Sequence, residues 1–233
     1  MCTHFYRNIL PMSRILIINP NTTASITALL KTHAEKAAGI DVHVEAITAR
    51  FGAPYIACEA SYAVAGHAVL DAWSNVMDTN EAAPDAVLIG CFGDPGLLAL
   101  REASVAPVTG LAEASFIEAA KYRRFAIVTG GERWKPILER LASTLGYSGM
   151  LAGITTVAPS GAELAKDPAG AQLLLAEACQ QAVKDFGANV VILGGAGLAG
   201  MAARVQAQVS VPVIDSVVAG VRQATLLANQ PSI

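Results

Sequence analysis

The stretch N-V-V-I-L-G-G-A-G-L-A-G, residues 189–200, decides how the chain is read. Asn189-Val190-Val191-Ile192-Leu193 opens the unbroken apolar run of a strand buried on both faces, and the glycines mark a tight turn before a helix. From Gly195 the letters G-A-G-L-A-G satisfy the G-x-G-x-x-G pattern of a dinucleotide cradle, and Asp215 follows 20 residues later, where a ribose-binding acid is expected. Yet that fingerprint normally opens a nucleotide domain with several further βα units, and only 18 residues follow Asp215. The other half has no partner fingerprint, and the P-loop pattern is absent. The glycines are therefore read as a turn at a strand's carboxyl end, not as an NAD site.

The same plan is written earlier in the chain. D-A-V-L-I-G-C-F-G-D-P-G (85–96) lies over N-V-V-I-L-G-G-A-G-L-A-G, R-I-L-I-I-N-P-N (14–21) over R-F-A-I-V-T-G-G (124–131), and A-P-V-T-G-L (106–111) over V-P-V-I-D-S (211–216). The three offsets are 104, 110 and 105 residues. Helical patterns separate the strands, notably 59–77, 112–122, 132–145 and 168–186, and further strands are expected at 41–48 and 153–158. Alternating strands and helices imply an α/β fold. The repeat makes it two pseudo-symmetric lobes, each a mostly parallel sheet flanked by helices, with a cleft between them. Residues 13–113 are assigned to the first lobe and 114–233 to the second, with approximate boundaries that leave helices free to swap. Residues 1–12 are taken as an N-terminal extension, because Met12 stands just before the first strand.

Composition excludes several function classes. Apolar residues make up 53% and charged residues 15%, which leaves ample core and argues against disorder. The net charge is −3 and the longest basic run is Arg123-Arg124, read as a solvated patch, so no nucleic-acid partner is expected. No apolar stretch is long enough for a membrane span, and the opening residues lack a signal peptide's pattern, so a cytoplasmic location is expected. Cys2, Cys58, Cys91 and Cys179 show no C-x-x-C pairing, and the four histidines are scattered, so no metal and no cofactor are expected. His67 falls in a helical pattern and reads as a packed or surface residue.

The repeat sets Cys91 opposite Gly195, one turn carrying a thiol and its counterpart bare backbone. At a strand's carboxyl end facing the next helix, backbone amides and the helix dipole are expected to lower the Cys91 pKa. Asn19-Pro20-Asn21-Thr22-Thr23 ends the first strand, and Asn21 or a neighbouring threonine can cap the helix that follows or offer a ligand free amides. Thr129 and Gly130 are expected to face that segment across the cleft. Phe92 and Gly93 belong to the Cys91 turn, where Phe92 either lines the pocket or packs beneath it. Asp94 reads as a local cap or turn former, Glu113 as a hydrogen-bond partner of backbone amides around the neighbouring turn, and Arg101 with Glu102 as a solvated helix face.

N-P-N-T-T (19–23), C-F-G-D-P-G-L (91–97), G-L-A-E-A-S (110–115), L-G-G-A-G-L-A-G (193–200) and V-P-V-I-D (211–215) together resemble the aspartate/glutamate/hydantoin racemase superfamily, most closely its hydantoin and allantoin racemase branch. The resemblance runs from about residue 14 to the C-terminus. It implies a cofactor-independent isomerase, often a homo-oligomer, in which two cysteines face the substrate's α-carbon from opposite sides. The substrate is then a small molecule with a carboxylate or ring carbonyl. Cys91 and the Gly195 position become the catalytic pair, with Asn19, Asn21, Phe92, Gly93, Thr129, Gly130, Ala196 and Gly197 as substrate-binding candidates. The chain departs from the pattern at its centre, because Gly195 stands where the branch carries its second cysteine. That leaves a disabled racemase, one whose missing thiol is replaced by water or another side chain, or one-sided chemistry of the arylmalonate decarboxylase type. A binding protein that has lost turnover is the non-enzymatic alternative.

Overall fold

The computed structural model describes residues 12–79 and 82–230, so the N-terminal extension, with Cys2 and His4, falls almost wholly outside them. The first sheet is built from β1 (Ser13–Asn19), β2 (Val42–Thr48), β3 (Ala86–Ile89) and β4 (Val108–Gly110), all parallel in the order β2-β1-β3-β4. The second is built from β5 (Phe125–Gly130), β6 (Leu151–Val157), β7 (Val190–Gly194) and β8 (Val213–Asp215), parallel in the equivalent order β6-β5-β7-β8. The repeat read from three echoes is thus a repeat of topology. It extends into the loops: Gly96 (φ 79°, ψ 7°) and Gly200 (φ 80°, ψ −4°) begin matching helices with nearly identical backbone.

Those helices are α3 (Leu97–Ala103) and α8 (Met201–Val205). Sequence reading left the first within a turn and ran the glycine stretch of the second straight into a helix. In fact a 3-10 turn, Ala196–Leu198, separates β7 from the short α8. The other helices are α1 (Ala24–Ala38), α2 (Glu59–Met77), α4 (Leu111–Ala120), α5 (Trp134–Thr144), α6 (Gly161–Lys166), α7 (Pro168–Phe186) and α9 (Ser216–Ala228). No strand or helix was anticipated for α6, which is only six residues long and is held by a capping box between Ser160 and Glu163.

Three buried clusters explain the layering. One joins the faces of both sheets through α1, α4, α5 and α9, and includes Leu88, Phe116, Phe125, Ile127 and Ile192. A second packs α2 and α3 on the outer face of the first sheet, and a third packs α7 and α8 on the outer face of the second. Strands β3, β5 and β7 are buried along their whole length, as covered parallel strands must be. Each fully buried Phe, Leu or Ile contributes about 1.5–3 kcal/mol through area removed from water. The inner layer is shared: α4 follows β4 yet contacts β7 and β8, and α9 follows β8 yet contacts β1 and β3. This exchange clamps the lobes together and fixes the carboxyl ends of β1, β3, β5 and β7 around one cleft. No helix of the described residues is long and apolar enough to cross a membrane.

Candidate active site

A pocket with an empty volume of about 490 Å³ opens between the lobes at the carboxyl ends of both sheets. Asn21, Cys91, Phe92, Thr129, Gly130, Gly195, Ala196 and Gly197 line it, so eight of the ten residues singled out from sequence meet there. Asn19 and Gly93 lie behind the wall. Asn19 is fully buried and donates through Nδ2 to Asn21 Oδ1 (3.0 Å) and Thr27 Oγ1 (2.9 Å), so it positions its neighbour. The Gly93 carbonyl accepts from the Tyr62 hydroxyl (2.7 Å), and a Cβ there would lie 2.6 Å from Trp134. Phe92 both lines the pocket and packs beneath it, its ring filling the space that a Cβ at Gly194 would need. That contact brings the Cys91 turn directly against the residue preceding Gly195.

Two side-chain atoms point to a ligand. Asn21 Oδ1 accepts from the Thr23 amide (2.9 Å) as well as from Asn19, which fixes the side-chain amide and leaves its Nδ2 unpartnered. Thr129 Oγ1 likewise has no hydrogen bond within the described residues. No fully buried side-chain polar atom of the described residues lacks a partner, so these two atoms are reached from the open pocket that their residues line, where a ligand can take them. Asn21 therefore makes a turn within its own segment, and α1, whose N-cap is Thr23, has no side-chain cap. The amides of Ala196 and Gly197, first in their 3-10 turn, have no acceptor inside it, and both residues line the pocket. The Gly195 amide is not available to a ligand, because it donates to Ser216 Oγ (3.2 Å).

The electrostatics of Cys91 reverse the expectation. Its thiol is buried, and burial followed by the nearby Asp94 carboxylate pushes its pKa up, so the resting group is a thiol. Phe92 through Gly96 stand between Cys91 and the first residue of α3, and the two influences on the thiol, burial and Asp94, both raise its pKa. Asp94 also differs from a local turn former. It is 1% exposed, and its carboxylate accepts from the Ala112 (2.9 Å) and Glu113 (2.7 Å) amides, capping α4 from a distant loop. Burial pushes its pKa up to about 7, against the lowering by those amides. Glu113 accepts from the side chains of Arg101 (2.7 Å) and Thr109 (3.0 Å) rather than from backbone amides, so Arg101 is tied to the α4 entrance. His67 is exposed, its ring edge against Phe51.

Asp215 caps α9 by accepting from Val217 and Val218 amides, and its other oxygen takes the Gly200 amide (2.7 Å). Its carboxylate is thus committed to the protein, which removes the acid that the dinucleotide reading required. Among the described residues no His/Cys/Asp/Glu cluster could hold a metal ion. Sequence reading missed half of the pocket's sixteen wall residues, among them Tyr55, Trp134 and Gly161. Tyr55 lies on the segment between β2 and α2, where no motif or periodicity marks it.

Fold and site together define a two-lobed α/β protein with one thiol in the wall of an interlobe pocket. The comparisons then fix the family: residues 15–224 match the model for Asp/Glu/Hydantoin racemase, and the chain belongs to that family. A hydantoin racemase of Pseudomonas sp. (strain NS671) is 33% identical over 217 residues, covering 93% of this chain and 86% of the relative. Allantoin racemase from Klebsiella pneumoniae is similar at 33% identity, with a TM-score of 0.84 over 92% of this chain and 87% of that one. Allantoin racemase from Pseudomonas fluorescens has a TM-score of 0.86 at 30% identity, covering 92% and 90%.

Proposed function

We propose that the chain is a cofactor-independent isomerase of the hydantoin/allantoin type, in which Cys91 exchanges the proton at a carbon next to a carbonyl. The convergence of Cys91, Asn21 Nδ2, Thr129 Oγ1 and the Ala196 and Gly197 amides on one pocket carries this reading. Those donors are placed to hold a ring carbonyl or carboxylate and to stabilise the enolate formed when the α-proton leaves. Cys91 removes and returns that proton on one face. Gly195 brings no thiol to the pocket, so inversion runs slower than exchange.

A second reading, a lyase or decarboxylase in which Cys91 protonates an enolate on one face only, is favoured by the resting thiol form. Each enantiomer of 5-benzylhydantoin and of allantoin, incubated with enzyme in D2O, separates the two. Deuterium uptake by proton NMR, exceeding the no-enzyme rate and lost in Cys91→Ala, is expected, with circular dichroism reporting inversion. Release of carbon dioxide from an arylmalonate without any exchange of the hydantoins would replace the first reading by the second. No turnover of either class, in folded enzyme, would defeat both.

A further inference from the structure

We propose that Tyr55 is the second proton donor of this site, serving the substrate face that Gly195 leaves without a thiol; the assignment rests on the proton-transfer reading above. Its hydroxyl oxygen accepts from the Gly161 amide (3.0 Å). The hydroxyl's own proton has no protein acceptor among the described residues and is free for the pocket that Tyr55 lines. The Gly161 amide also stabilises the oxygen once the proton has gone. Burial holds the phenol above its ordinary pKa, so it enters the reaction protonated.

The position is the one the missing thiol would serve. Gly161 packs its carbonyl into the space a Cβ at Gly197 would need, so the Tyr55 hydroxyl sits beside the Gly195–Gly197 turn. The threonines of N-P-N-T-T hold it there. Thr22 donates its amide to the Ala53 carbonyl (3.2 Å), and Thr23 Oγ1 donates to the Pro54 carbonyl (2.7 Å). One short motif thus sets both Asn21 and Tyr55 against the pocket.

In the inverting half-reaction the resting Cys91 thiol first gives its proton to solvent, and the thiolate so formed takes the α-proton, leaving an enolate and a thiol. The Tyr55 O–H bond then breaks toward the other face, giving the inverted C–H and a tyrosinate. Solvent returns a proton to the tyrosinate and accepts one from the thiol, or the tyrosinate acts as base on the inverted enantiomer.

The test compares inversion with exchange in D2O for 5-benzylhydantoin, using wild type and Tyr55→Phe. The expected result is a fall of at least about a hundredfold in the inversion-to-exchange ratio, the lower end of what one positioned acid contributes. An unchanged ratio in Tyr55→Phe, or wild-type exchange without any inversion, overturns the assignment while leaving the role of Cys91 intact. Absence of exchange in wild type overturns both, and is distinguishable because Cys91 is then silent as well. Should Tyr55→Phe fold poorly, 3-fluorotyrosine at position 55 keeps the shape and the Gly161 hydrogen bond while lowering the phenol pKa. The inversion pH profile is then expected to shift to lower pH relative to the exchange profile, and an unmoved profile refutes the proposal.

Discussion

Gly195→Ala is the perturbation that tests the thiol-less wall most directly. The backbone there has φ 145° and ψ 134°, a region that costs a residue with a side chain about 1–3 kcal/mol. A Cβ would also stand 3.3 Å from Leu198 Cγ and 3.5 Å from its Cδ1. Leu198 is buried, so it yields only by leaving its rotamer, at about 0.5–1.5 kcal/mol. The variant should therefore lose about 2–4 kcal/mol, enough to measure and small enough to leave a protein of ordinary stability folded. Gly146→Ala is the control: φ is 81° and nothing lies within 4 Å of its Cβ, so only the backbone cost applies. Urea unfolding followed by tryptophan fluorescence reads both variants, and Leu198→Ala combined with Gly195→Ala should show a coupling of about 1 kcal/mol. Stability of Gly195→Ala within about 0.5 kcal/mol of wild type would refute the reasoning, because the turn could then accept a side chain freely. The same cost bears on Gly195→Cys, whose gain in inversion should be larger when Leu198→Ala makes room.

Three further outcomes are expected. Asp94→Asn removes the charge that helps hold the Cys91 thiol protonated, so alkylation of Cys91 by iodoacetamide should begin at lower pH; peptide-resolved mass spectrometry is needed because Cys58, whose pKa its Ser61 hydrogen bond lowers, reacts first. Asp94 itself has a folded pKa raised above its unfolded value. Its contribution is thus fully present below pH 4 and is lost as pH rises through about 7, and wild-type unfolding should lose stability across that window more steeply than Asp94→Asn. Thr129→Val should raise KM for a hydantoin about tenfold, one neutral hydrogen bond's worth, while leaving the urea midpoint nearly unchanged; Asn21→Ala should raise KM as well but also lower the midpoint, because it removes the acceptor of Asn19 Nδ2 and the Thr23 amide, and an unaltered KM in either variant would mark that residue as structural.

The sequence carries the architecture because two signals agree. Apolar runs define the strands, and their echo at a nearly constant offset reveals the duplication, since a repeated chain folds into repeated topology. It carries the Cys91–Gly195 pairing for the same reason. The short helices α3 and α6 escape because six or seven residues hold too few turns for a periodicity, and their boundaries are set by caps and by packing. The Cys91 pKa is misjudged because a helix dipole can be inferred from order along the chain, whereas burial and the approach of Asp94 depend on the fold. Tyr55 is invisible for a similar reason: its significance comes from Gly161, 106 residues away.

The break in symmetry at the two turns is larger than one substituted residue. In the first lobe the strand end before α4 is Gly110, and a Cβ there would collide with the Asp94 carboxylate, which reaches over to cap the helix. In the second lobe the matching strand end is Asp215, which caps α9 itself, and the place of Asp94 falls to Leu198. Each helix thus receives one carboxylate on the same pair of amides, from a different point in the chain. Moving that carboxylate onto β8 frees the third position after the turn for a leucine, and the leucine packs under Gly195. A buried charge beside the thiol on one side is exchanged for an apolar side chain beside bare backbone on the other. The two walls of the pocket are consequently different in charge and in packing, and a glycine at 195 is the residue that its positive φ and the packed Leu198 favour.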